Sequence, residues 1–376
     1  MKKILFVTAF VPGQQGAGEN FSRMLIDDLS KNNLVDLVYS KYSDDLFYNP
    51  TNANITVRKV FRNSTIIKIV NYALFPFLFP LFSVRFNVFR LGVIKKILKS
   101  NKYDLLFLDF SQTFIYSLFL KKIPVVMYSH DIISQRYSRS FYSFLVPFVR
   151  FSENIVLKGS KSKIFVPSVK DRDLVSKHYK LETEVTDVYL DQSILNAIPR
   201  EKGEYFVFFA NWKRDDNWKG LKWFIDNVLP GLNSSTSFKI IGTGMPDDLF
   251  NNFKSLADAE YMGFVDDPYP IIANAKALIS PLFSGAGVKV KVVESLACGL
   301  PVIGTPISFE GLSEEFSDSM LVAETAEHFR EIISGLHSKL EEKILLKEKF
   351  LLSYTNHAIS SFIDSEEFYT YFKSVE

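Results

Sequence analysis

Residues 280–305 read Ser-Pro-Leu-Phe-Ser-Gly-Ala-Gly-Val-Lys-Val-Lys-Val-Val-Glu-Ser-Leu-Ala-Cys-Gly-Leu-Pro-Val-Ile-Gly-Thr. Gly285 and Gly287 let the backbone take conformations closed to other residues and approach a ligand closely. A glycine loop that feeds a helix start presents free amides and a positive dipole end, which suits a phosphate. Lys289 and Lys291 add charge at that point, and Glu294 stands about two turns in, where a carboxylate accepts sugar hydroxyls. The flanking pattern supplies the elements that would position these groups. Ala277-Leu-Ile279 is a short apolar run ending at Ser280-Pro281. From Val288 the spacing turns helical, with Val292, Val293, Leu296 and Ala297 on one face. Gly299 followed by Pro301 stops that helix, because glycine tolerates the left-handed cap and proline cannot continue it.

Four pieces in this order resemble the signature of retaining, nucleotide-sugar-dependent glycosyltransferases of the GT-B fold, family four. They are Gly285-Ala-Gly-Val-Lys289, Glu294, Ala297-Cys-Gly-Leu-Pro-Val302 and Glu310-Gly-Leu312. Many members carry two glutamates eight residues apart, and the first would fall on Ala286. A branch with Gly-x-Lys/Arg-x-Lys in this loop lacks that glutamate too, and the chain looks like that branch. The resemblance implies an α/β architecture: two Rossmann-like, doubly wound parallel-sheet domains facing a cleft, with a C-terminal helix crossing back.

Length and composition agree with two domains. The chain has 376 residues, 47% hydrophobic and 23% charged, which is a globular and not a disordered composition. A net charge of +2 excludes no partner by itself, so any basic surface is local. The expected partners are a nucleotide sugar and its acceptor, with no nucleic acid. The lone Cys298 has no intramolecular disulfide partner, which fits a reducing cytoplasm. The N-terminal Met1-Lys-Lys-Ile-Leu-Phe-Val-Thr-Ala-Phe10 is too short an apolar run for a secretory signal and is read as a buried first strand.

That strand leads into Val11-Pro-Gly-Gln-Gln-Gly-Ala-Gly18 and then a helix with Phe21, Met24, Leu25 and Leu29 on one face, followed by strand Leu34–Tyr39. Strand, glycine loop, helix, strand is a doubly wound opening, where ligands gather at strand carboxyl ends. Further strands are expected over Tyr103–Asp109, Pro124–Ser129 and Lys163–Val166. His130 follows one of those carboxyl ends. Asp171-Arg-Asp173 has the look of a metal-binding Asp-x-Asp, but carboxylates in a first helical turn are favoured by the dipole alone, and no metal is expected.

Two stretches rich in aromatic residues stand apart. Ile66–Val84, flanked by Arg58, Lys59, Arg62, Arg85, Arg90, Lys95 and Lys96, is interrupted by Lys68, Asn71, Pro76 and Pro80, so it is not a membrane span. Phe141–Phe151 is the second. Stretches 66–98 and 141–151 fit an anionic membrane surface, which would place the protein at the inner face of the cell membrane, or equally a cap over the first domain's core.

Val185–Lys202 reads as the linker, giving a first domain of 1–198, a donor domain of 199–358 and a returning helix in 359–376. The second strand series starts at Tyr205–Ala210 and continues with Phe238–Gly242, ending in Gly242-Thr-Gly244, and Tyr261–Val265. Residues 323–352 read as a solvated, charge-laced helical flank.

The resemblance implies a division of roles. Donor binding falls to Gly16, Gly18, Gly242, Gly244, Gly285, Gly287, Val288 and Lys289, with Phe264 and Val265 beside the base and Glu294 on the ribose. His130 lies near the donor sugar and Arg136 on the acceptor or sugar side. The family's diphosphate-binding Arg and Lys-Gly fall on Asn211 and Lys219-Gly220, so Arg214, Lys213 or Lys289 would replace the arginine. Such cations are needed because charge builds on the leaving phosphate as the glycosidic bond breaks. The expected activity is transfer of a sugar from a nucleoside-diphosphate donor, as co-substrate and without a cofactor, to a hydroxyl of a glycan or lipid-linked glycan. Surface polysaccharide assembly is the expected setting. Catalytic weight would rest on His130, Lys219, Glu294 and Arg214, and loss of Lys219 or Glu294 would remove most transfer. A nucleotide-sugar-binding protein without activity is the alternative, and an epimerase or phosphorylase on the same fold is not matched by motif.

Overall fold

The computed structural model describes residues 1–13, 16–159, 162–200, 203–337 and 339–374. Gln14 and Gln15 of the first glycine loop, and Glu201 and Lys202 of the expected linker, lie outside them. The chain divides into two units, one of Met1–Tyr189 with His357–Glu376 and one of Leu190–Asn356.

The first unit is built on a seven-stranded sheet. Its strands are β1 (Lys3–Thr8), β2 (Leu34–Lys41), β3 (Ile55–Arg62), β4 (Leu105–Asp109), β5 (Val125–Tyr128), β6 (Ser162–Val166) and β7 (Glu184–Val185). All pairs are parallel, in the order β3-β2-β1-β4-β5-β6-β7. The apolar runs explain this arrangement: every residue of β4 and β5 is buried, as a parallel sheet covered on both faces requires. The order reverses at β1, so the carboxyl ends of β1 and β4 form the switch point where ligands bind in such sheets. Residues after Asn356 complete this unit. Ile359, Phe362, Ile363 and Phe368 are buried, Lys2 Nζ donates to the Ile363 carbonyl at 2.5 Å, and Tyr189 stacks on His357 at 4.3 Å. The terminal segment is two helices, Ala358–Asp364 and Glu367–Ser374, where the sequence suggests one.

The second unit holds a six-stranded parallel sheet, ordered β10-β9-β8-β11-β12-β13. Its strands are β8 (Tyr205–Phe209), β9 (Ser237–Ile241), β10 (Asp258–Gly263), β11 (Leu278–Ser280), β12 (Val302–Gly304) and β13 (Met320–Val322). Here the order reverses at β8, and its switch point lies between the ends of β8 and β11.

Several expectations are corrected. β3 is missed because it is an edge strand, Ile-Thr-Val-Arg-Lys-Val-Phe-Arg, whose half-exposed charges hide its period. The break between units falls after Tyr189 and not after residue 198. Asp191 caps a short helix, Gln192–Asn196, whose Ile194 is buried in the second unit's core, and Lys347 Nζ binds the Leu195 carbonyl at 2.9 Å. Residues 323–352 are two helices and no mere solvated flank. Phe329, Ile333, Leu346 and Phe350 are buried, and Lys343 is buried with its ammonium 2.5 Å from the Ala275 carbonyl. Asp171 is committed to a helix cap: its carboxylate accepts from Ser168 Oγ at 2.6 Å and its amide donates to the same oxygen at 3.1 Å. Among the described residues, no helix is long and apolar enough to cross a membrane.

Candidate functional site

In the second unit, the stretch after β11 forms the expected turn. Gly285 and Gly287 take φ values of 114° and 69°, a region that favours glycine, and Val290–Ala297 is helical with Lys289 at its cap. The loop after β8 faces it across the switch point. Asp215–Asn227 forms a helix whose buried side includes Gly220, where a Cβ would lie 2.1 Å from the Pro281 carbonyl oxygen. That close approach brings the two helix starts together. Ser284 Oγ donates to Asp216 Oδ1, Lys291 Nζ donates to Asn217 Oδ1 at 3.1 Å, and Lys289 Nζ donates to the Gly287 carbonyl at 2.7 Å. Arg214 Nη2 stands 3.8 Å from Asp216 Oδ2.

This pole of the sheet is electropositive. Burial, then the charges of Arg214 and Lys289, pushes the Lys291 ammonium down to about 7, although Asp216 acts the other way. A cluster that opposes its own protonation is suited to an incoming anion. Lys219 is not part of it. It lies on the helix's solvent face with Lys222 and Asp226, half-exposed and paired with Asp215 Oδ2 at 2.6 Å. Lys291, which the sequence already places beside the glycine loop, is the lysine held between the two helix starts.

Glu294 lies along the same helix and accepts a hydrogen bond from Tyr269 Oη at 3.0 Å. Burial raises its carboxyl to about 7, against the lowering effect of Tyr269. Burial also raises the Tyr269 phenol. Tyr269 starts a short helix beyond Phe264, which is exposed, and Val265, which packs at the edge of the core. Gly242 and Gly244, at φ 119° and 82°, close β9 against the loop after β8. A Cβ on Gly242 would fall 1.7 Å from the Ala210 carbonyl oxygen, and one on Gly244 would fall 2.3 Å from the Lys213 side chain. Val288 is half-buried at the base of the loop, packed against the second unit's core.

In the first unit, His130 is held at the carboxyl ends of β4 and β5. Thr8, Asp109 and Tyr128 align across β1, β4 and β5. Asp109, fully buried, lies 2.8 Å from His130 Nε2 through Oδ1, and its Oδ2 accepts from Thr8 Oγ1 at 2.8 Å and Ser22 Oγ at 2.6 Å. The imidazole stacks on Phe110 with centroids 3.9 Å apart, and Phe110 itself has a φ of 67°. A non-glycine residue in that region is uncommon and marks a constrained position. Gly18 leaves the space beside these rings, since a Cβ there would lie 3.1 Å from Phe110 and 3.4 Å from His130 Nδ1. Gly16 is the cap of the same helix in an extended conformation, with Glu19 in the first turn. Beyond His130, Glu153 accepts from the amides of Ile133 at 2.7 Å and Ser134 at 3.2 Å, fixing the next helix start. Arg136 is exposed in the last turn of that helix, and among the described residues no bond ties it to His130. Asp109 and Glu153 had no sequence signal, because each reads as an ordinary strand or helix residue. Among the described residues, no group of three or more His, Cys, Asp or Glu could hold a metal ion.

Two doubly wound parallel sheets, each with a switch point, are the frame of a known architecture. Sucrose-phosphate synthase from Thermosynechococcus elongatus superposes with a TM-score of 0.75 at 12% identity, covering 100% of both chains. The fold is GT-B. Other GT-B structures agree. WaaG, a glycosyltransferase involved in lipopolysaccharide biosynthesis, gives a TM-score of 0.67 at 15% identity over 96% of this chain and 100% of its own. HepE from Anabaena, in complex with UDP and glucose, gives 0.66 at 14% identity over 96% and 98%. Residues 203–339, within the second GT-B unit, match the family model described as Glycosyl transferases group 1. No curated protein matches the chain by sequence.

Proposed function

We propose that this protein is a retaining glycosyltransferase of family four, moving a sugar from a nucleoside-diphosphate donor to a hydroxyl of a glycan or lipid-linked glycan. The observation that carries the reading is the pole of the second unit. There two glycines at positive φ, a helix start and the cations Arg214, Lys289 and Lys291 converge, with Glu294 farther along the same helix. The amides of Gly287 and Val288 and the three cations receive the diphosphate, Glu294 receives the ribose, and Phe264 and Val265 lie beside the base. His130, oriented by Asp109, serves the sugar, and Arg136 the acceptor side.

In the reaction, the acceptor oxygen bonds to the anomeric carbon on the face from which the diphosphate leaves. The anomeric carbon–oxygen bond breaks, and the acceptor proton passes to the leaving phosphate oxygen, so no protein nucleophile or metal is required. Cations fixed in place before reaction stabilise the charge that grows on the leaving group. The setting that fits this acceptor class is surface polysaccharide assembly at the inner face of the cell membrane.

The test is calorimetry of the full chain against nucleoside diphosphates, followed by mass spectrometry of donor turnover with glycan acceptors. Binding followed by transfer with retained anomeric configuration supports the reading. Binding without turnover makes it a nucleotide-sugar-binding protein, the reading favoured by Asn211 at the expected arginine position. No binding of any nucleoside diphosphate overturns both.

A further inference from the structure

In the first unit, a buried guanidinium has two donors with no hydrogen-bond partner. Arg85 is buried, 4% exposed, yet its Nε and Nη1 have no hydrogen-bond partner. Its remaining nitrogen, Nη2, donates to Tyr42 Oη at 3.2 Å. A buried guanidinium with unmet donors costs free energy, so such a group calls for an explanation. Its neighbour shows the contrast: Arg90 is also buried and donates to Ser40, Asn63 and the carbonyls of Arg62 and Arg85.

The surroundings of Arg85 are built for an anion. Its backbone is fixed, with its carbonyl accepting from Tyr116 Oη at 2.8 Å and Arg90 Nη1 at 3.3 Å. The guanidinium is held between two rings, 5.3 Å from the Phe10 centroid and 5.1 Å from that of Tyr42. Lys68 brings a second ammonium 4.7 Å from the Tyr42 ring. Among the described residues, neither cation has a carboxylate within ion-pair distance. Asp45, the acid nearest in the bonding pattern, is turned to the Tyr42 amide at 2.7 Å. Although burial raises the Tyr42 phenol, hydrogen bonds and charge from Lys68 and Arg85 bring it below its ordinary value, so the field here is net positive.

The place also fits. Phe10 and Tyr42 follow the carboxyl ends of β1 and β2. Phe10 packs edge-on against Phe110 at 4.9 Å, and Phe110 is the ring on which His130 stacks. The charged group therefore lies at the same carboxyl end of the sheet as His130, one aromatic pair away. Lys68 reaches it from the Thr65–Leu74 helix, whose opposite face exposes Ile66, Ile69 and Val70.

We propose that Arg85, Lys68 and Tyr42 form a phosphate-binding subsite for the acceptor; the word acceptor rests on the glycosyltransferase reading, while the subsite does not. The half-buried Tyr42 ring is its outer wall, and turning that ring opens Nε and Nη1 to the anion. The phosphate belongs to a soluble phosphorylated sugar or to a lipid phosphate.

The experiment titrates two probes into the full chain carrying Lys289→Gln and Lys291→Gln, which removes phosphate binding by the second unit. The probes are glycerol 3-phosphate and phosphatidylcholine vesicles containing phosphatidate. Binding is expected, with Lys68→Gln weakening it about tenfold and Arg85→Gln abolishing it, as loss of charge-assisted bonds requires. Glycerol 3-phosphate binding assigns the subsite to a soluble phosphate. Binding to the vesicles alone, with the same dependence on Lys68, assigns it to a lipid phosphate. No binding of either probe, or binding unchanged within twofold by Lys68→Gln, overturns the proposal. Lys68 is half-exposed, so its variant folds even if Arg85→Gln does not. Nucleoside-diphosphate binding of the chain with native lysines is measured in parallel, and its failure counts against the glycosyltransferase reading alone.

Discussion

Lys291 Nζ and Asn217 Oδ1 lie 3.1 Å apart, and this bond joins the helix after the glycine loop to the helix after β8. It fixes an ammonium between two helix starts, beside Arg214 and Lys289, where burial and like charge hold it near neutrality. A nucleotide sugar brings two negative charges on a diphosphate diester that does not itself titrate near pH 7. Binding should therefore raise the Lys291 pKa and draw in a proton. Calorimetry at pH 8 in buffers of different ionisation enthalpy should show proton uptake, fading toward pH 6, where the free protein is already protonated. In Lys291→Gln the uptake should vanish and affinity fall about tenfold or more.

Lys219 and Lys291 make a paired prediction. Lys219 is half-exposed on a helix face turned to solvent, and its bond to Asp215 is an exposed i,i+4 pair of small worth. Lys219→Ala should keep donor affinity within about twofold, since an exposed pair contributes little. Equal loss in both variants, read by donor titration, would return the diphosphate role to Lys219.

Glu294 gives a stability prediction with a definite sign. Its folded-state carboxyl is raised to about 7 from an ordinary 4.5, chiefly by burial. A raised carboxyl contributes stability that is full below 4.5 and is lost as pH rises through 7. Glu294→Gln removes that penalty, so the ligand-free variant should melt higher than the native protein at pH 8, with the gap closing toward pH 5. The same variant should lose most transfer activity, since an amide no longer accepts two ribose hydroxyls. A thermal scan across pH checks the first outcome and a turnover assay the second.

Much of this was legible in residue order. The buried strands announced themselves as apolar runs, and Gly285, Gly287 and Gly299 marked a loop, a helix start and a helix stop that the backbone confirms with φ values of 114°, 69° and 77°. What could not be read was direction around a helix. Lys219 and Lys291 are both lysines near a glycine, and only packing of Gly220 against Pro281 decides which side faces the loop. Long-range partners were equally hidden. Asp109 reads as the last residue of a strand, and its bond to His130 depends on the register of β4 with β5. Arg85 read as one more flanking cation, because burial with unmet donors leaves no trace in sequence.

The last prediction concerns the support of His130. Asp109 Oδ1 lies 2.8 Å from Nε2 and so holds the ring, and Nδ1 faces the space left by Gly18. Gly18 does not take a positive φ, and an added Cβ would meet the Phe110 ring at 3.1 Å and Nδ1 at 3.4 Å. Gly18→Ala should therefore fold with little loss of stability yet crowd the imidazole. Asp109→Asn should keep the packing but lose the charge that orients the ring, costing about tenfold to a hundredfold in kcat, as loss of a supporting group commonly does. Both residues belong to the first unit, so donor affinity is measured beside the rate for each variant. Single-turnover rates measured beside donor affinities separate the two effects. A fall in affinity with unchanged kcat would show that His130 is not where the sugar is handled.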